Sequence, residues 1–363
     1  MTTRTVPLEQ PQSADAAPDW EKLASRARTG RFVRNLTLII FLTIVSLPVM
    51  LPYFWMVVIS FSARTGGVES AVLWRSLSIL VPAVILYAII FTIFRQARQR
   101  WLAAFIIGVP AAGALWYLVG ADLHLDNYRF LVNPNVVEDL RGAATAGGQF
   151  PWVWTAFFNS LFVASISTIA KVSVATLAGY YLSRFSFQGR STYLQSLLVI
   201  EAFPAMILII PIFIVIYWIG LLNTLWGPIL VLSAIELPFY IFVMKGFFDA
   251  VPWDIEMSAM TDGASRREAF WHVVLPQVRG GMIAIGIFAF IKGWEEYVFV
   301  TSLRTGNSYW VMSSYLYYIA EDVMGVDYGM VAAVSVFYVL PSLVLYLFCQ
   351  KYLTQMTLGG VKG

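Results

Sequence analysis

The sequence predicts an all-α polytopic membrane protein with about eight transmembrane helices. Of its 363 residues, 59% are hydrophobic and only 12% are charged, and the mean hydropathy is +0.72. An ordinary soluble domain has about 25% charged residues. The apolar runs are too long and unbroken for barrel strands, so we expect backbone hydrogen bonds to be satisfied within helices.

Runs of about 20 mostly apolar residues, long enough to cross a bilayer as helices, mark the spans. The expected spans are 37–60, 72–94, 101–120, 154–178, 194–218, 226–245, 281–302 and 329–350. Residues 1–36 are polar and lack the apolar core of a signal peptide, so we expect a disordered tail. Residues 351–363 are expected to form a second tail.

Basic residues predict that both tails lie in the cytoplasm. Most lysines and arginines fall on the tails and on alternate loops, and such residues are retained on the cytoplasmic side. The opposite loops carry Arg64, Arg75, Arg129, Arg141 and Arg304. Two of these outer segments are long, 121–153 and 303–328. We interpret them as solvated connectors with an interfacial aromatic belt, and a docking surface for an extracytoplasmic partner is the alternative.

Composition also argues against several function classes. The formal net charge of +3 implies no nucleic-acid partner. The single cysteine, Cys349, excludes an internal disulfide, and His124 and His272 do not have zinc-site spacing. Neither a Ser/His/Asp set nor a G-x-x-x-x-G-K-[ST] phosphate loop is found, so we expect no catalytic residues and no ATP hydrolysis by this chain.

The inner loop 246–280 is predicted to form a helix, a turn and a second helix. Pro252 suits the first helical position, and Asp254 and Glu256 favour the positive end of that helix. The helix is expected to end at Asp262-Gly263, because glycine takes the left-handed conformation that terminates helices.

Ser265 and Glu268 form a plausible capping box for the second helix, which Leu275-Pro276 is expected to end. The apolar residues on one face of that helix are Phe270, Val273 and Val274. We expect a partner subunit to cover this face. Packing against the ends of the chain's own spans is the alternative.

This loop resembles a known signature. Asp262-Gly263-Ala264, nine residues from Ala264 to His272, and then Val273-Val274-Leu275-Pro276 are similar to the EAA loop of ABC importer permeases. The similarity is greatest to the carbohydrate, binding-protein-dependent (MalG-like) type. Other segments that agree in order are Asn159-Ser160-Leu161, Ala178–Arg184, Phe203-Pro204, Lys245–Phe248 and Gly359–Gly363. The resemblance covers 37–60 and 125–363.

The resemblance implies the permease subunit of an ATP-driven importer of a sugar or polyol in the bacterial cytoplasmic (inner) membrane. The implied partners are a second permease subunit, a dimer of ATPase subunits, an extracytoplasmic solute-binding protein and membrane lipid. ATP and Mg²⁺ would be bound by the partner ATPase, with no cofactor in this chain. The loop would sit in a cleft of the ATPase and move as a rigid lever.

The resemblance also implies which residues couple the chain to the ATPase. In the loop these are Glu256, Ser258, Ala259, Asp262, Gly263, Ala264, Arg266, Phe270, Leu275 and Pro276. In the C-terminal tail Gly359, Gly360 and Lys362 are expected to reach toward the ATPase interface, and fraying in water is the alternative.

This chain departs from the family pattern in two places. The family usually has Glu-Ala-Ala where this chain has Met257-Ser258-Ala259. The nearest acid is one residue away, which is about 100° around a helix. The family usually has six spans, so within 37–120 we expect an inserted hairpin at about 72–120, followed by a permease core over 154–350.

Polar and aromatic residues within the spans are candidates for the solute path, because charges in a bilayer usually face a cavity or a partner. The candidates are Glu201, Phe203, Glu236, Trp294, Glu295, Glu296 and Tyr297. Trp294 to Tyr297 group the stacking and hydrogen-bonding side chains that a sugar or polyol needs. Ion pairs between helices, or to the partner permease, explain the acids equally well.

Two other transporter classes are alternatives. A permease for another small polar solute, such as an amino acid, would share the loop signature, although the MalG-like tail argues against it. An ion-coupled secondary carrier would also have buried acids and broken helices. It would not need a capped cytoplasmic hairpin.

Overall fold

The computed structural model describes residues 20–62, 70–93, 96–134, 151–306, 308–321 and 327–359, in which every regular element is helical. The all-α fold class is therefore confirmed. The helices are α1 (Trp20–Ser60), α2 (Ser70–Ile93), α3 (Ala97–Val119), α4 (Val153–Arg184), α5 (Arg190–Glu201), α6 (Ile209–Trp218), α7 (Trp226–Asp249), α8 (Trp253–Thr261), α9 (Arg266–Ala269), α10 (Leu275–Gln277), α11 (Arg279–Glu295), α12 (Val298–Ser302), α13 (Met312–Ala320) and α14 (Tyr328–Gly359). A π-helical turn, Phe270–Val274, joins α9 to α10.

Each predicted span falls on one or more of these helices. Within the described residues, four helices are long and apolar enough to cross a bilayer: Arg98–Val119, Val153–Arg184, Trp226–Asp249 and Tyr328–Cys349. Up to seven spans result if each of three bent helix pairs counts as one. The apolar stretch of α2, Trp74–Ile90, is shorter. A multi-pass membrane protein is confirmed, and the number eight stays a prediction.

Two spans are interrupted where the sequence predicts unbroken helices, and a third, expected over 37–60, bends by 55° between Ser46 and Pro48. The span expected over 194–218 is broken near Pro204, and its halves, Arg190–Glu201 and Ala205–Trp218, meet at 87°. Proline cannot donate the backbone hydrogen bond that would continue the helix. The span expected over 281–302 is interrupted at Glu296, between α11 and α12. Pro238, by contrast, lies inside α7.

The N-terminal boundary also differs from its prediction. Because α1 begins at Trp20, the disordered tail expected over 1–36 is wrong for residues 20–36. This stretch contains the good helix formers Glu, Lys, Leu, Ala and Arg and continues directly into an apolar span. Residues 1–19 lie outside the described part of the chain.

Contacts divide the chain into two compact units, and Met1–Trp55 with Glu69–Leu123 form the first. In it α2 packs against α3, and Arg75 lies 3.7 Å from Asp122. These two helices cover the region 72–120 in which the sequence predicts a hairpin, and its insertion into the six-span family core stays a prediction.

Met56–Val68 with His124–Gly363 form the second unit, in which α4 packs against both α7 and α11. Gly179 permits the close crossing of α4 and α7. A Cβ atom there would lie 2.9 Å from the backbone nitrogen of Lys245 and 2.9 Å from the Cβ atom of Met244. Both distances are shorter than the contacts that Cβ atoms make in proteins. The helix α4 is therefore fixed directly to its neighbour.

Candidate functional site

The inner loop forms a compact helical hairpin, called the coupling hairpin below and made of residues 252–277. Its first helix, α8, ends at Thr261, and Gly263 has φ +97°, the left-handed region that favours glycine. The second half starts with a complete capping box. The Ser265 backbone N–H donates to Glu268 Oε2 at 2.8 Å, and the Glu268 N–H donates to Ser265 Oγ at 3.3 Å. The predicted helix, turn and capped helix are confirmed.

One face of the coupling hairpin is buried against the chain's own spans. Phe270 is 6% exposed and Val274 is fully buried. Both belong to a core that includes Leu182 of α4 and Met244 and Phe248 of α7. The expectation that a partner covers this face, with Phe270 as a contact, is therefore wrong, and the alternative is right. The loop joins α7 to α11 directly, so its apolar face meets the apolar ends of neighbouring helices first.

The other face of the coupling hairpin is exposed and partly apolar. Ile255 is 37% exposed, Met257 40% and Trp271 50%. Of the predicted coupling residues, Ser258, Asp262, Gly263 and Pro276 are exposed, whereas Ala259, Ala264, Arg266 and Leu275 are half-buried. Ile255 and Trp271 also belong to this exposed face, although neither is among the coupling residues predicted from the sequence. The sequence contains a signal for Trp271, because adjacent residues lie about a quarter turn apart on a helix. If Phe270 faces the core, Trp271 points to a different side of the helix.

Glu256 is completely buried, and its carboxylate points into the chain. Tyr180 Oη donates to Glu256 Oε1 at 2.6 Å, and Arg184 Nε lies 3.0 Å from Glu256 Oε2. The next residue, Met257, is 40% exposed, and the resemblance places the family's glutamate at this position. Glu256 therefore does not replace that glutamate, and the expectation that its side chain meets the ATPase is corrected.

Only part of the predicted tail contact can be located. Gly359 is the last residue of α14, whereas Gly360 and Lys362 lie outside the described residues. The contact of this tail with an ATPase stays a prediction.

Two charged residues within the spans form an ion pair. Lys171 of α4 is 0% exposed, and its Nζ lies 2.9 Å from Glu236 Oε2 of α7. Lys171 Nζ also lies 3.4 Å from the carbonyl oxygen of Ala289 on α11 and 5.6 Å from the ring centroid of Tyr240. Glu236 thus has the interhelical partner that the alternative interpretation requires. Among the other candidates for the solute path, Glu201, Phe203 and Glu295 are exposed and Tyr297 is half-buried.

Trp294 is enclosed, so the expectation that it stacks on a sugar is wrong. The residue is 1% exposed, and its Nε1 donates to the Tyr338 carbonyl oxygen at 3.0 Å. The Phe290, Tyr338 and Phe157 rings pack around the indole at centroid distances of 5.5–6.2 Å. A ring surrounded by other aromatic rings stabilises the core.

Glu296 has a local structural partner. Its Oε1 accepts a hydrogen bond from the Phe299 N–H at 2.8 Å, and its carbonyl oxygen accepts one from Ser313 Oγ at 2.7 Å. Glu296 precedes the N-cap residue Tyr297, and its carboxylate satisfies a backbone N–H in the first turn of α12. Within the described residues, no group of three or more His, Cys, Asp or Glu side chains is placed to hold a metal ion.

Comparison with known proteins identifies the family. Residues 171–355, just over half of the chain, match the binding-protein-dependent transport system inner membrane component family. The chain belongs to this family. The match confirms the prediction of an ABC importer permease and fits a membrane component without catalytic residues.

Two curated relatives of this permease belong to carbohydrate uptake systems, as the resemblance predicts. The diacetylchitobiose uptake system permease protein NgcG of Streptomyces coelicolor is 35% identical over 54% of this chain and 65% of its own length. The match thus spans slightly less than two thirds of that relative. The maltodextrin transport system permease protein MalD of Streptococcus pneumoniae is 27% identical over 77% of this chain and 91% of its own length.

A solved structure has the same fold. The crystal structure of a bacterial ABC transporter involved in the import of the acidic polysaccharide alginate has a chain with a TM-score of 0.60 and 18% sequence identity to this one. The superposition covers 93% of this permease and 99% of that chain.

Proposed function

We propose that this permease is one of two permease subunits in an ATP-driven importer of a carbohydrate or polyol. The observation that carries the proposal is the two-sided coupling hairpin. Phe270 and Val274 attach one face to the spans, while Ile255, Met257 and Trp271 leave the other face open. A helical hairpin of this kind can transmit a displacement from a soluble subunit to the membrane spans.

The proposed source of this displacement is a dimer of ATPase subunits in the cytoplasm. In this proposal those subunits bind ATP and Mg²⁺, and this chain is expected to need no cofactor of its own. The basic residues of the tails and alternate loops support an orientation with both termini and the coupling hairpin inside. The exposed side chains Ile255, Met257 and Trp271 supply apolar area for the contact, and Gly263 sets the angle between the two halves of the hairpin.

The proposed cargo is a carbohydrate or polyol delivered by an extracytoplasmic solute-binding protein. The uptake systems of two relatives, named for diacetylchitobiose and maltodextrin, support this substrate class. The buried ion pair in the described spans does not distinguish a neutral polar solute from an amino acid. The ligand of the solute-binding protein is therefore the measurement that distinguishes the two substrate classes. The second permease subunit completes the path across the membrane.

The experiment starts from the permease purified out of native membranes with its associated subunits. We expect an ATPase, a second permease and a solute-binding protein to co-purify. Thermal-shift measurements on that binding protein should respond to neutral sugars or polyols and not to amino acids. A shift with amino acids alone would contradict the proposed substrate class and favour the amino-acid alternative.

A second measurement tests the energy source. The purified permease alone is expected to hydrolyse no ATP, whereas proteoliposomes with all subunits should take up the identified sugar only when ATP is supplied. Uptake driven by a proton or sodium gradient without ATP would overturn the proposal in favour of a secondary carrier.

A further inference from the structure

Side-chain contacts between distant parts of the sequence attach the coupling hairpin to α4. Glu256 lies on α8, but Tyr180 and Arg184, which bind its carboxylate, lie on the last turns of α4. Arg184 also donates through Nη2 to the Val251 carbonyl oxygen at 2.9 Å, in the link between α7 and α8. One guanidinium group thus holds both the start of the hairpin and its first helix.

Aromatic rings extend this connection to the second half of the hairpin. The guanidinium of Arg184 lies 5.4 Å from the ring centroid of Trp253 on α8. The guanidinium of Arg266 on α9 lies 5.8 Å from the same ring and 4.8 Å from the ring of Phe185, which follows α4. Both helices of the hairpin therefore contact the end of α4. The hairpin anchor, as we call this cluster, consists of Tyr180, Arg184, Phe185, Trp253, Glu256 and Arg266.

Burial makes the charge pair of the hairpin anchor costly to separate. The side chain of Glu256 is 0% exposed and that of Arg184 is 5% exposed. An exposed ion pair separates with little loss, but separating a buried pair leaves two uncompensated charges. The pair is therefore expected to stay closed while the hairpin moves.

We propose that Glu256 is a positioning residue that locks the coupling hairpin to α4, so that a displacement of the hairpin moves α4 with it. Gly179, beside Tyr180, places α4 in direct contact with the α7 backbone, so the motion reaches two spans. The source of the displacement rests on the proposed function. The lock itself is a property of this chain alone.

The test compares Glu256→Gln, Arg184→Gln and the double variant with the matched control Asp254→Asn. Asp254 is an exposed acid on the same helix, so the control removes one negative charge without touching the anchor. Hydrogen exchange of α8 is measured on the full chain in lipid nanodiscs. Sugar uptake and ATP hydrolysis are measured on the assembled transporter.

Each single variant is expected to accelerate exchange of the α8 amides by about tenfold or more, because a buried charge loses its partner. Sugar transported per ATP hydrolysed should fall by about fivefold or more. The double variant should be closer to wild type than the sum of the single effects predicts, because it leaves no buried charge unpaired. Asp254→Asn should change each quantity by less than about twofold, because it removes only a favourable charge at the start of α8 and leaves the anchor intact.

Two results would overturn the proposal. Single variants that leave α8 exchange and the sugar-to-ATP ratio unchanged would show that no lock exists. If Glu256→Gln weakened retention of the ATPase subunits without changing α8 exchange, the carboxylate would bind the partner instead of α4. Failure of the proposed function can be distinguished from failure of the lock. If the proposed function is wrong, the unmodified assembly shows no ATP-dependent uptake, whereas α8 exchange in the variants still tests the lock.

Discussion

Lys171 on α4 and Glu236 on α7 form an ion pair of 2.9 Å in which the lysine is completely buried. The same two helices touch at Gly179, where a Cβ atom would lie 2.9 Å from the α7 backbone. A charge pair and a close backbone contact therefore hold one helix pair together at two levels. Glu236 is one of the acids that the sequence assigned to the solute path, and the pair gives it a structural role.

Replacing Lys171 with methionine is expected to destabilise the protein by about 3 kcal/mol, because Glu236 would keep its charge without a partner. The double variant Lys171→Met/Glu236→Gln should regain most of that loss. Thermal unfolding in detergent measures both effects, with Lys292→Met as an exposed control lysine in a span. Equal losses in the single and double variants would contradict a role confined to the ion pair.

Gly263→Val is expected to reduce sugar uptake strongly while the chain still reaches the membrane. At φ +97° a β-branched residue strains the turn by about 1–3 kcal/mol, so the two halves of the coupling hairpin would change their angle. Gly246→Val is the control, since a Cβ there meets nothing within 4 Å and its φ is not positive. Membrane level by immunoblot and uptake by the same cells are compared. Unchanged uptake in Gly263→Val would refute the need for this turn.

Glu268 gives the coupling hairpin a dependence on pH. Hydrogen bonds from the Ser265 hydroxyl and backbone N–H lower the pKa of the Glu268 carboxyl from its ordinary value of 4.5. Because the folded form has the lower pKa, the capping box contributes fully above about pH 4.5 and is lost as the pH falls through the folded pKa. Hydrogen exchange of α9 should therefore accelerate at acidic pH relative to its intrinsic rate. Glu268→Gln should flatten this dependence, and an unchanged pH profile in that variant would contradict the assignment.

Substitutions of Glu296 can distinguish its hydrogen bond to the first turn of α12 from a contact with the solute. Glutamine keeps an oxygen that can accept the Phe299 N–H bond, whereas alanine loses it at a cost of about 1 kcal/mol. We therefore expect Glu296→Gln to retain thermal stability and uptake, and Glu296→Ala to lose stability. If glutamine abolished uptake at unchanged stability, the charge itself would act in the solute path.

Much of the coupling hairpin was predictable because its signals are local. The left-handed Gly263 and the reciprocal bonds of Ser265 and Glu268 depend on residues that are neighbours in the chain. The helical membrane class followed from hydropathy, which depends on composition and run length alone. The break near Pro204 also has a local cause, although its angle of 87° does not follow from the proline alone.

What only the tertiary structure decided is the direction in which side chains point. Glu256 turns inward because Tyr180, 76 residues earlier in the chain, and Arg184 meet it. Phe270 is buried because the ends of α4 and α7 lie beside it, and Trp294 is enclosed by aromatic residues from three helices. Helical periodicity sorts residues into faces, but which face is covered depends on helices that are distant in sequence, and no local pattern contains that information.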